Sequence, residues 1–347
     1  MKKASNSRVL GRREFLTLGG AVIGTIAASP LLSKEVSPHS SRAPRLSGKV
    51  RHYYIAAESV LWDYAPSGYD QITGNSIPRP WKGFTKWPKV RYIEYTDETF
   101  TIKKPQPPWL GVLGPIIRAE VGDVVLVHFL NRWEYPCSMH PHGFRYEKDS
   151  EGALYEPSGQ GAAVMPEESF TYEWIADADS GPGPEDPSSL VWWYHSHVDE
   201  PFETNIGLLG PAIITAQGMA DEEGKPVDVD KEFILMFMVF DEDKGRERGL
   251  MHSVNGFIFG NLPGLEMNVG DRVRWYVMAM GNEIDLHTCH WHGKTVLCEG
   301  RRTDVIELLP GSMMTADMNA DNPGTWLIHC HVADHIHAGM LAKYTIG

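Results

Sequence analysis

The chain has 347 residues, of which 42% are hydrophobic and 22% charged, so it is long enough for about two globular domains with ordinary cores. Its formal net charge of −13 argues against nucleic acid as a partner, because phosphate binding requires a positively charged face. Charge alone leaves neutral and cationic substrates open.

Residues 1–33 have the order of an export signal. Basic residues and the pair Arg12-Arg13 precede an apolar run from Leu18 to Leu32. The paired arginines favour the twin-arginine route of bacteria, which predicts a periplasmic or extracellular protein. The apolar run is short and contains Pro30, so it is a poor membrane span. We therefore expect the exported protein to have no stable membrane span.

The first half of the exported chain, which we assign to a domain at 48–217, contains two His-x-His pairs. Strand-like sequence precedes both His140-Pro141-His142 and His195-Ser196-His197. Residues two apart on a β-strand share a face, so each pair directs two imidazoles into the same space. Chance scatter of histidines would not produce such pairs.

The second half, which we assign to a domain at 218–347, repeats this order. A polar, turn-rich stretch at 217–231 marks the junction. Beyond it, strand-like sequence again precedes His290-Trp291-His292 and His329-Cys330-His331. Short β-branched and aromatic runs separate the motifs, with Gly, Pro and Asp at the turns. This pattern predicts an all-β protein with two Greek-key β-sandwich domains.

The last cluster carries a cysteine between its two histidines. The side chain of Cys330 therefore points to the opposite face of the strand, where it can meet His287, His335 and Met340. Two imidazoles, one thiolate and a weak thioether form the trigonal blue-copper site used for electron transfer. The backbone of Cys330 would then connect this site directly to the histidine pair on the other face.

The first half carries other residues at the four positions of the blue site. Aligned on the His-x-His pairs, Cys137 replaces His287, Ser196 replaces Cys330, Pro201 replaces His335, and Ile206 or Leu208 replaces Met340. We therefore expect one blue copper per chain, in the second half.

These motifs resemble the two-domain multicopper oxidases, the small laccase-like enzymes built from two cupredoxin domains. The resemblance covers essentially the whole exported chain. Outside the histidine clusters, four segments look like ceruloplasmin-type segments: His52-Tyr53-Tyr54-Ile55-Ala56-Ala57-Glu58, Trp62-Asp63-Tyr64-Ala65-Pro66-Ser67-Gly68, Leu113-Gly114-Pro115-Ile116-Ile117 and His252-Ser253-Val254-Asn255-Gly256-Phe257. The resemblance implies two cupredoxin-like sandwiches and copper-dependent reduction of dioxygen to two waters by four one-electron oxidations.

The resemblance also implies four copper ions per chain and their ligands. Type 1 copper falls on His287, Cys330, His335 and Met340, type 2 on His140 and His290, and the type 3 pair on His142, His195, His197, His292, His329 and His331. The reducing substrate would give up its electron at the edge of His335, with Cys330 on the electron path. A homotrimer is implied, with each cluster shared between the first domain of one subunit and the second domain of its neighbour.

Three other metal functions explain less of the sequence. Zinc needs four ligands and leaves Met340 without a role. A copper-binding or electron-transfer protein needs only the blue site and leaves the other histidine pairs unexplained. Copper nitrite reductases carry the blue site in the first of two cupredoxin domains, whereas here it falls in the second.

The reducing substrate is the least constrained part of the prediction. The two-domain plan and the export signal favour a laccase-like enzyme acting on phenols or aromatic amines. The ceruloplasmin-like segments favour Fe(II), so a ferroxidase is the alternative. Ferroxidase activity needs carboxylates beside His335, for which Asp334, Glu299, Asp304 and Glu307 are candidates.

Two further points stay open at the level of sequence. Glu151 and Asp334 are candidates for the acid that delivers protons to the cluster, although neither falls on a firm motif. Cys137, Cys289 and Cys298 remain after Cys330 is assigned to copper, so at most one disulfide can form within the chain.

Overall fold

Residues 48–347 are described in the computed structural model of this protein, and most of their regular structure is β-strand. The all-β prediction is therefore confirmed. The export signal predicted for residues 1–33 lies outside the described residues. Within the part of the chain that is described, no helix combines the length and the apolar character needed to cross a membrane.

The first half of the described chain forms two four-stranded sheets. Its strands are β1 (Val50–Asp63), β2 (Lys86–Tyr95), β3 (Ile117–Glu120), β4 (Val124–Asn131), β5 (His140–Pro141), β6 (Ser169–Ile175), β7 (Ser189–His195) and β8 (Leu209–Thr215). One sheet has the order β2-β1-β4-β6 and the other β3-β8-β7-β5. Helix α1 (Glu200–Ile206) lies between β7 and β8, and 3₁₀ turns cover Pro108–Leu110, Lys148–Ser150 and Gln160–Ala162.

The second half forms a six-stranded and a five-stranded sheet. Its strands are β9 (Lys231–Asp241), β10 (Leu250–Val254), β11 (Glu266–Met267), β12 (Arg272–Ala279), β13 (His287–Trp291), β14 (Val296–Cys298), β15 (Arg301–Thr303), β16 (Val305–Leu308), β17 (Met313–Asn319), β18 (Gly324–Cys330) and β19 (Leu341–Ile346). The sheet orders are β10-β9-β12-β17-β14-β15 and β11-β19-β18-β13-β16. Helix α2 (Ala333–His337) follows β18, and a 3₁₀ turn covers Glu247–Gly249.

Strand β9 is buried on both faces, and its two faces belong to different cores. Phe233 and Leu235 lie in the core of the second half. Ile234 and Met236 lie in a second core that also contains Trp193 of β7. Because successive side chains of a strand alternate between faces, a continuous apolar strand can line two cores at once. The halves therefore share a packed apolar interface along β9.

The polar stretch at 217–231 lies between the two pairs of sheets. β8 ends at Thr215 and β9 begins at Lys231. This position agrees with a junction there, and the domain bounds at 48–217 and 218–347 stay a prediction.

Both halves place their histidine pairs on neighbouring antiparallel strands in the same register. In the first half His140 lies opposite His195, across β5 and β7. In the second half His290 lies opposite His329, across β13 and β18. Each pair of strands therefore brings two His-x-His motifs together on one face, as their spacing predicts.

Candidate metal centres

A thiol and two imidazoles converge at the end of β18. The Sγ atom of Cys330 lies 3.5 Å from Nδ1 of His335 and 3.8 Å from Nδ1 of His287, and the two Nδ1 atoms are 3.1 Å apart. All three residues are buried, and their candidate ligand atoms lie within 4.8 Å of one another. Met340 is also fully buried and packs in the same apolar cluster as Cys330.

Neighbouring polar groups hold this centre in place. Asp285 is fully buried; its Oδ1 accepts hydrogen bonds from Nε2 of His287 (3.1 Å) and from the backbone N–H of Val239 (2.7 Å). The backbone N–H of Thr288 points to the sulfur of Cys330 at 3.5 Å. A histidine that donates its outer N–H to a carboxylate has its ring orientation and tautomer fixed, which is typical of metal ligands.

The electrostatics of this centre favour a thiolate. Burial alone raises the pKa of the Cys330 thiol, but hydrogen bonds from His287, His335 and backbone N–H groups outweigh it and lower the pKa to about 6. Burial works against protonation of His287, and its hydrogen bonds to Asp285 and Cys330 leave its pKa raised overall. One thiolate with two imidazoles and a nearby thioether is a soft donor set that fits copper.

The first half carries a face of histidines, which we call the first histidine face: His140, His142, His195 and His197. Nε2 of His142 lies 3.0 Å from Nε2 of His195. The Nδ1 atom of His140 is bound to the backbone oxygen of Glu151 at 2.6 Å. Burial and neighbouring imidazoles lower the pKa values of His142 and His195 to about 4, so both rings are neutral at pH 7 and can act as ligands.

The second half carries the matching second histidine face: His290, His292, His329 and His331. Nε2 of His292 lies 3.0 Å from Nε2 of His329, the same separation as in the first half. The Nδ1 atom of His290 is bound to the backbone oxygen of Asp304 at 2.9 Å, and that of His329 to the oxygen of Cys330 at 2.7 Å. His290 and His292 line an open cavity of about 580 Å³.

Each histidine face is a separate group within the described chain. His140, His142 and His195 bring their ligand atoms within 4.8 Å of one another, and so do His290, His292 and His329. The ring contacts of His197 and His331 are made within their own faces, to residues such as His140 and His290. The eight predicted histidines thus lie in two sets of four, one on each face.

Three side chains close to these centres were not predicted as site residues from the sequence. The ring of His252 on β10 lies 4.9 Å from that of His335, and its Nδ1 atom is buried with no hydrogen-bond partner among the described residues. Asp285 binds His287 from two residues before β13 begins, and this closeness along the chain was a usable signal. Glu200 lies 3.3 Å from Nε2 of His197; no motif indicated it.

The acids proposed for proton delivery, and the cysteines left open for a disulfide, lie as follows. Glu151 binds Lys148 and Tyr155 through its carboxylate and touches His140 only through its backbone oxygen. Asp334 lies exposed in the first turn of α2, next to His335. Its carboxylate acts electrostatically on His252. All four cysteines are buried and free, so none of the disulfides left open by the sequence forms.

The two halves of the chain match the same protein family separately. The family described as multicopper oxidase matches residues 110–218 and, separately, residues 236–347, which together make up more than half of the chain. The chain is also similar in fold to the multicopper oxidase mgLAC (TM-score 0.62, 22% identity, 86% of each chain covered). A blue copper oxidase from Nitrosomonas europaea gives a TM-score of 0.61 at 21% identity, again with 86% of each chain covered. The chain belongs to the multicopper oxidase family, as its motifs predict.

The curated relatives that are similar in sequence are much longer proteins. The chain is 39% identical to ferroxidase HEPHL1 of Mus musculus, over 86% of this chain and 29% of that protein. It is 39% identical to hephaestin of Homo sapiens (87% and 30% covered) and to ceruloplasmin of Rattus norvegicus (86% and 32% covered). The chain spans about a third of the length of the curated relatives it matches.

Proposed function

We propose that this protein is a multicopper oxidase that takes electrons one at a time from Fe(II) and reduces dioxygen to two waters. The observation that carries the Fe(II) assignment is the buried Nδ1 of His252 beside His335, which has no hydrogen-bond partner within the described part of the chain. The similarity to a protein named as a ferroxidase supports the same substrate.

The donor sets described above support four copper ions per chain. We assign type 1 copper to His287, Cys330, His335 and Met340, type 2 copper to His140 and His290, and the type 3 pair to His142, His195, His197, His292, His329 and His331. Bound copper would supply the one-electron redox chemistry and the place where dioxygen is reduced.

Strand β18 links the two kinds of site. Cys330 faces the thiolate centre, while His329 and His331 on either side of it face the other way. Three consecutive residues of one backbone therefore join the electron-entry site to the dioxygen site. This covalent connection is short, and both ends are held by the same strand pairing with β13.

The surroundings of His335 suit a small cation as electron donor. His252 offers an imidazole nitrogen that has no hydrogen-bond partner among residues 48–347, and the carboxylate of Asp334, next to His335 in the chain, acts on His252 electrostatically. Imidazole and carboxylate together are a suitable ligand pair for Fe(II). His335 itself is only 6% exposed, so a donor bound at His252 would reach it through direct ring contact.

The two histidine faces suggest that the complete cluster needs more than one chain. Each face supplies four histidines, and the two faces form separate groups in one chain. We infer that the first face of one chain meets the second face of a neighbouring copy, as in a homotrimer, because closed rings satisfy such head-to-tail contacts. The open cavity at His290 and His292 leaves room for that neighbour.

The deciding experiment is dioxygen uptake by the copper-loaded protein with Fe(II) and with a methoxyphenol in parallel. We expect Fe(II) to be preferred, with His252→Ala raising KM for Fe(II) about tenfold or more, which corresponds to ~1.4 kcal/mol. The same variant should leave KM for the phenol unchanged. A clear preference for the phenol would instead support the laccase-like enzyme that the sequence favoured.

His337→Gln is a matched control for this experiment. His337 is an exposed histidine of α2, and its Nδ1 binds only the backbone oxygen of Ala333, at 2.8 Å. Its replacement should change neither KM. If both histidine variants raised KM for Fe(II) equally, His252 would not be part of a specific binding site for the electron donor.

A further inference from the structure

The loop that follows β7 in the first half has the same design as the loop that follows β18 in the second. Each begins with a His-x-His pair and continues into a short helix. Each then ends in a strand that pairs with the strand before the loop, β8 with β7 and β19 with β18. In the second half, a metal ion bound to Cys330 and His335 would fix this loop in one conformation. The first half has Ser196 and Pro201 at those positions, which provide no such ligands.

A buried carboxylate occupies this place in the first half. Glu203 of α1 is only 1% exposed. Its Oε2 accepts hydrogen bonds from the backbone N–H groups of Val198 (2.9 Å) and Asp199 (2.8 Å), the two residues that follow His197. The hydroxyl of Ser196 donates a further hydrogen bond to the same carboxylate. Glu203 therefore binds residues on both sides of a predicted metal ligand, His197: the Ser196 hydroxyl before it and two backbone N–H groups after it.

The hydrogen-bond network continues to the other histidine strand. The Ser196 hydroxyl accepts from the backbone N–H of Ser138 at 2.9 Å. The Ser138 hydroxyl accepts from the N–H of His197 at 3.0 Å and donates to the oxygen of Gly152 at 2.6 Å. Ser138 lies two residues before His140 and, like Ser196, has no exposed surface. The network thus spans both histidine pairs of the first face.

Helix α1 is itself anchored to neighbouring strands, so the backbone that carries Glu203 is held in place. The amide of Asn205 exchanges two hydrogen bonds with the backbone of Asp241 in the second half, at 2.8 and 2.9 Å. The ammonium of Lys89 donates to the backbone oxygen of Asn205 at 2.6 Å. Because α1 is anchored in this way, the carboxylate of Glu203 can hold the loop in one conformation without a metal ion.

We propose that Glu203 is a positioning residue: it holds His195 and His197 in their metal-binding arrangement, in the role that the copper centre plays in the other half. This proposal rests on the copper assignment made above. Glu203 acts through Val198, Asp199 and Ser196 and touches neither substrate nor metal. Buried N–H groups left without an acceptor are costly, so loss of the carboxylate should release the loop.

The test compares Glu203→Gln with Glu203→Leu in the full-length protein. The amide oxygen of glutamine can accept both backbone hydrogen bonds that Oε2 accepts, whereas leucine can accept neither. In the metal-free protein, we expect hydrogen exchange at the amides of Val198 and Asp199 to be at least about tenfold faster in Glu203→Leu and near wild type in Glu203→Gln. This readout does not depend on copper or on turnover.

Copper content and blue absorption give a second readout. The blue absorption reports the second half, so it serves as an internal check that the rest of the chain is folded. We expect Glu203→Leu to keep the blue absorption while copper falls from about four towards about one per chain. Glu203→Gln should keep the full content. Thr204→Val is the control for general damage to α1, because the Thr204 hydroxyl bonds only within the helix, mainly to the oxygen of Glu200.

Full copper content and unchanged amide protection in Glu203→Leu would overturn the proposal. If that variant does not fold, Ser196→Ala decides, because it removes only the link between Glu203 and Ser138. We expect it to keep the blue absorption and lose part of the remaining copper, and full content would again overturn the proposal. A wild-type protein that binds no copper would refute the proposed function instead, and the exchange measurement would still test Glu203.

Discussion

The two halves of the chain present matching histidine faces but differ on the side of the strand behind them. Behind the second face, the side chain of Cys330 meets His287 and His335. Behind the first face, Ser196 stands in the equivalent position and meets Glu203. One strand register therefore supports a thiolate centre in one half and a hydrogen-bonded carboxylate in the other.

The difference also appears in the state of the cysteines. Cys137 stands in the first half where His287 stands in the second, and burial raises its pKa well above the ordinary value. Cys330 has a lowered pKa because hydrogen bonds overcome its burial. Burial alone thus produces an inert thiol, whereas burial beside two imidazoles produces a candidate metal ligand. Under the proposed function, a few side chains on one face decide whether this fold holds a redox centre.

The largest expected effect comes from Cys330→Ser, which would make the second half resemble the first. We expect the blue absorption to vanish and dioxygen uptake with any donor to fall at least about 1,000-fold, or ~4 kcal/mol, because the thiolate and the electron path are lost together. Absorption spectra and oxygen-electrode rates check this. Cys298→Ser is the control, since Cys298 is a buried thiol of β14 outside the three ligand groups. A coloured, active Cys330→Ser protein would refute the type 1 assignment.

The second prediction tests whether the two histidine faces are equivalent. His195→Ala and His329→Ala each remove one member of a pair whose Nε2 atoms lie 3.0 Å apart. We expect both variants to keep the blue absorption and to lose about 100-fold in dioxygen uptake, because each face supplies half of the dioxygen site. Copper content and turnover measure this. If only one variant lost activity, the two faces would not contribute to one cluster.

A smaller effect is expected from Asp285→Asn. The carboxylate accepts the Nε2 hydrogen bond of His287. Asparagine can keep the hydrogen bond but removes the negative charge that makes the imidazole a stronger ligand. We expect copper affinity of the type 1 site to fall about tenfold. Competition with a copper chelator, followed by the blue absorption, measures the change; unchanged affinity would mean that only the ring orientation matters.

The pKa difference between the two cysteines predicts a pH effect in the metal-free protein. Since the pKa of Cys330 is lowered to about 6, its thiol is protonated below pH 6 and is a thiolate above it. Cys137 stays protonated at neutral pH. We expect thiolate absorption in the ultraviolet to rise with a midpoint near this pH in the wild type and to be missing in Cys330→Ser. A rise that persists in the variant would assign the thiolate to another cysteine.

Sequence spacing was enough to find the histidine faces and the cysteine behind one of them. Side chains alternate along a strand, so His329 and His331 must share a face and Cys330 must take the other. This reasoning uses only neighbours in one strand or in a strand of matching register. It needs no knowledge of how distant segments pack, and the structure places these residues as their spacing requires.

The surroundings of the centres could not be predicted in the same way. His252 reaches His335 from β10, and nothing in the spacing along the chain relates the two residues. Glu203 lies in a short helix of seven residues, and its partners are backbone N–H groups that no motif identifies. Contacts of this kind depend on tertiary packing. Asp285 is the exception, because it lies only two residues before its partner His287 along the chain.

The smallest expected effect comes from Cys137→Ala, the counterpart of removing His287. Cys137 pairs with Val164 through backbone hydrogen bonds of 3.2 and 2.8 Å, which the substitution leaves intact. Its thiol is buried in the core of the first half, so we expect a loss of only about 1 kcal/mol of stability. Copper content, blue absorption and turnover should match the wild type, whereas His287→Ala should lose the blue absorption. A change in copper content in Cys137→Ala would mean that the first half also uses its buried thiol as a ligand, and the two halves would then be more alike than their sequences indicate.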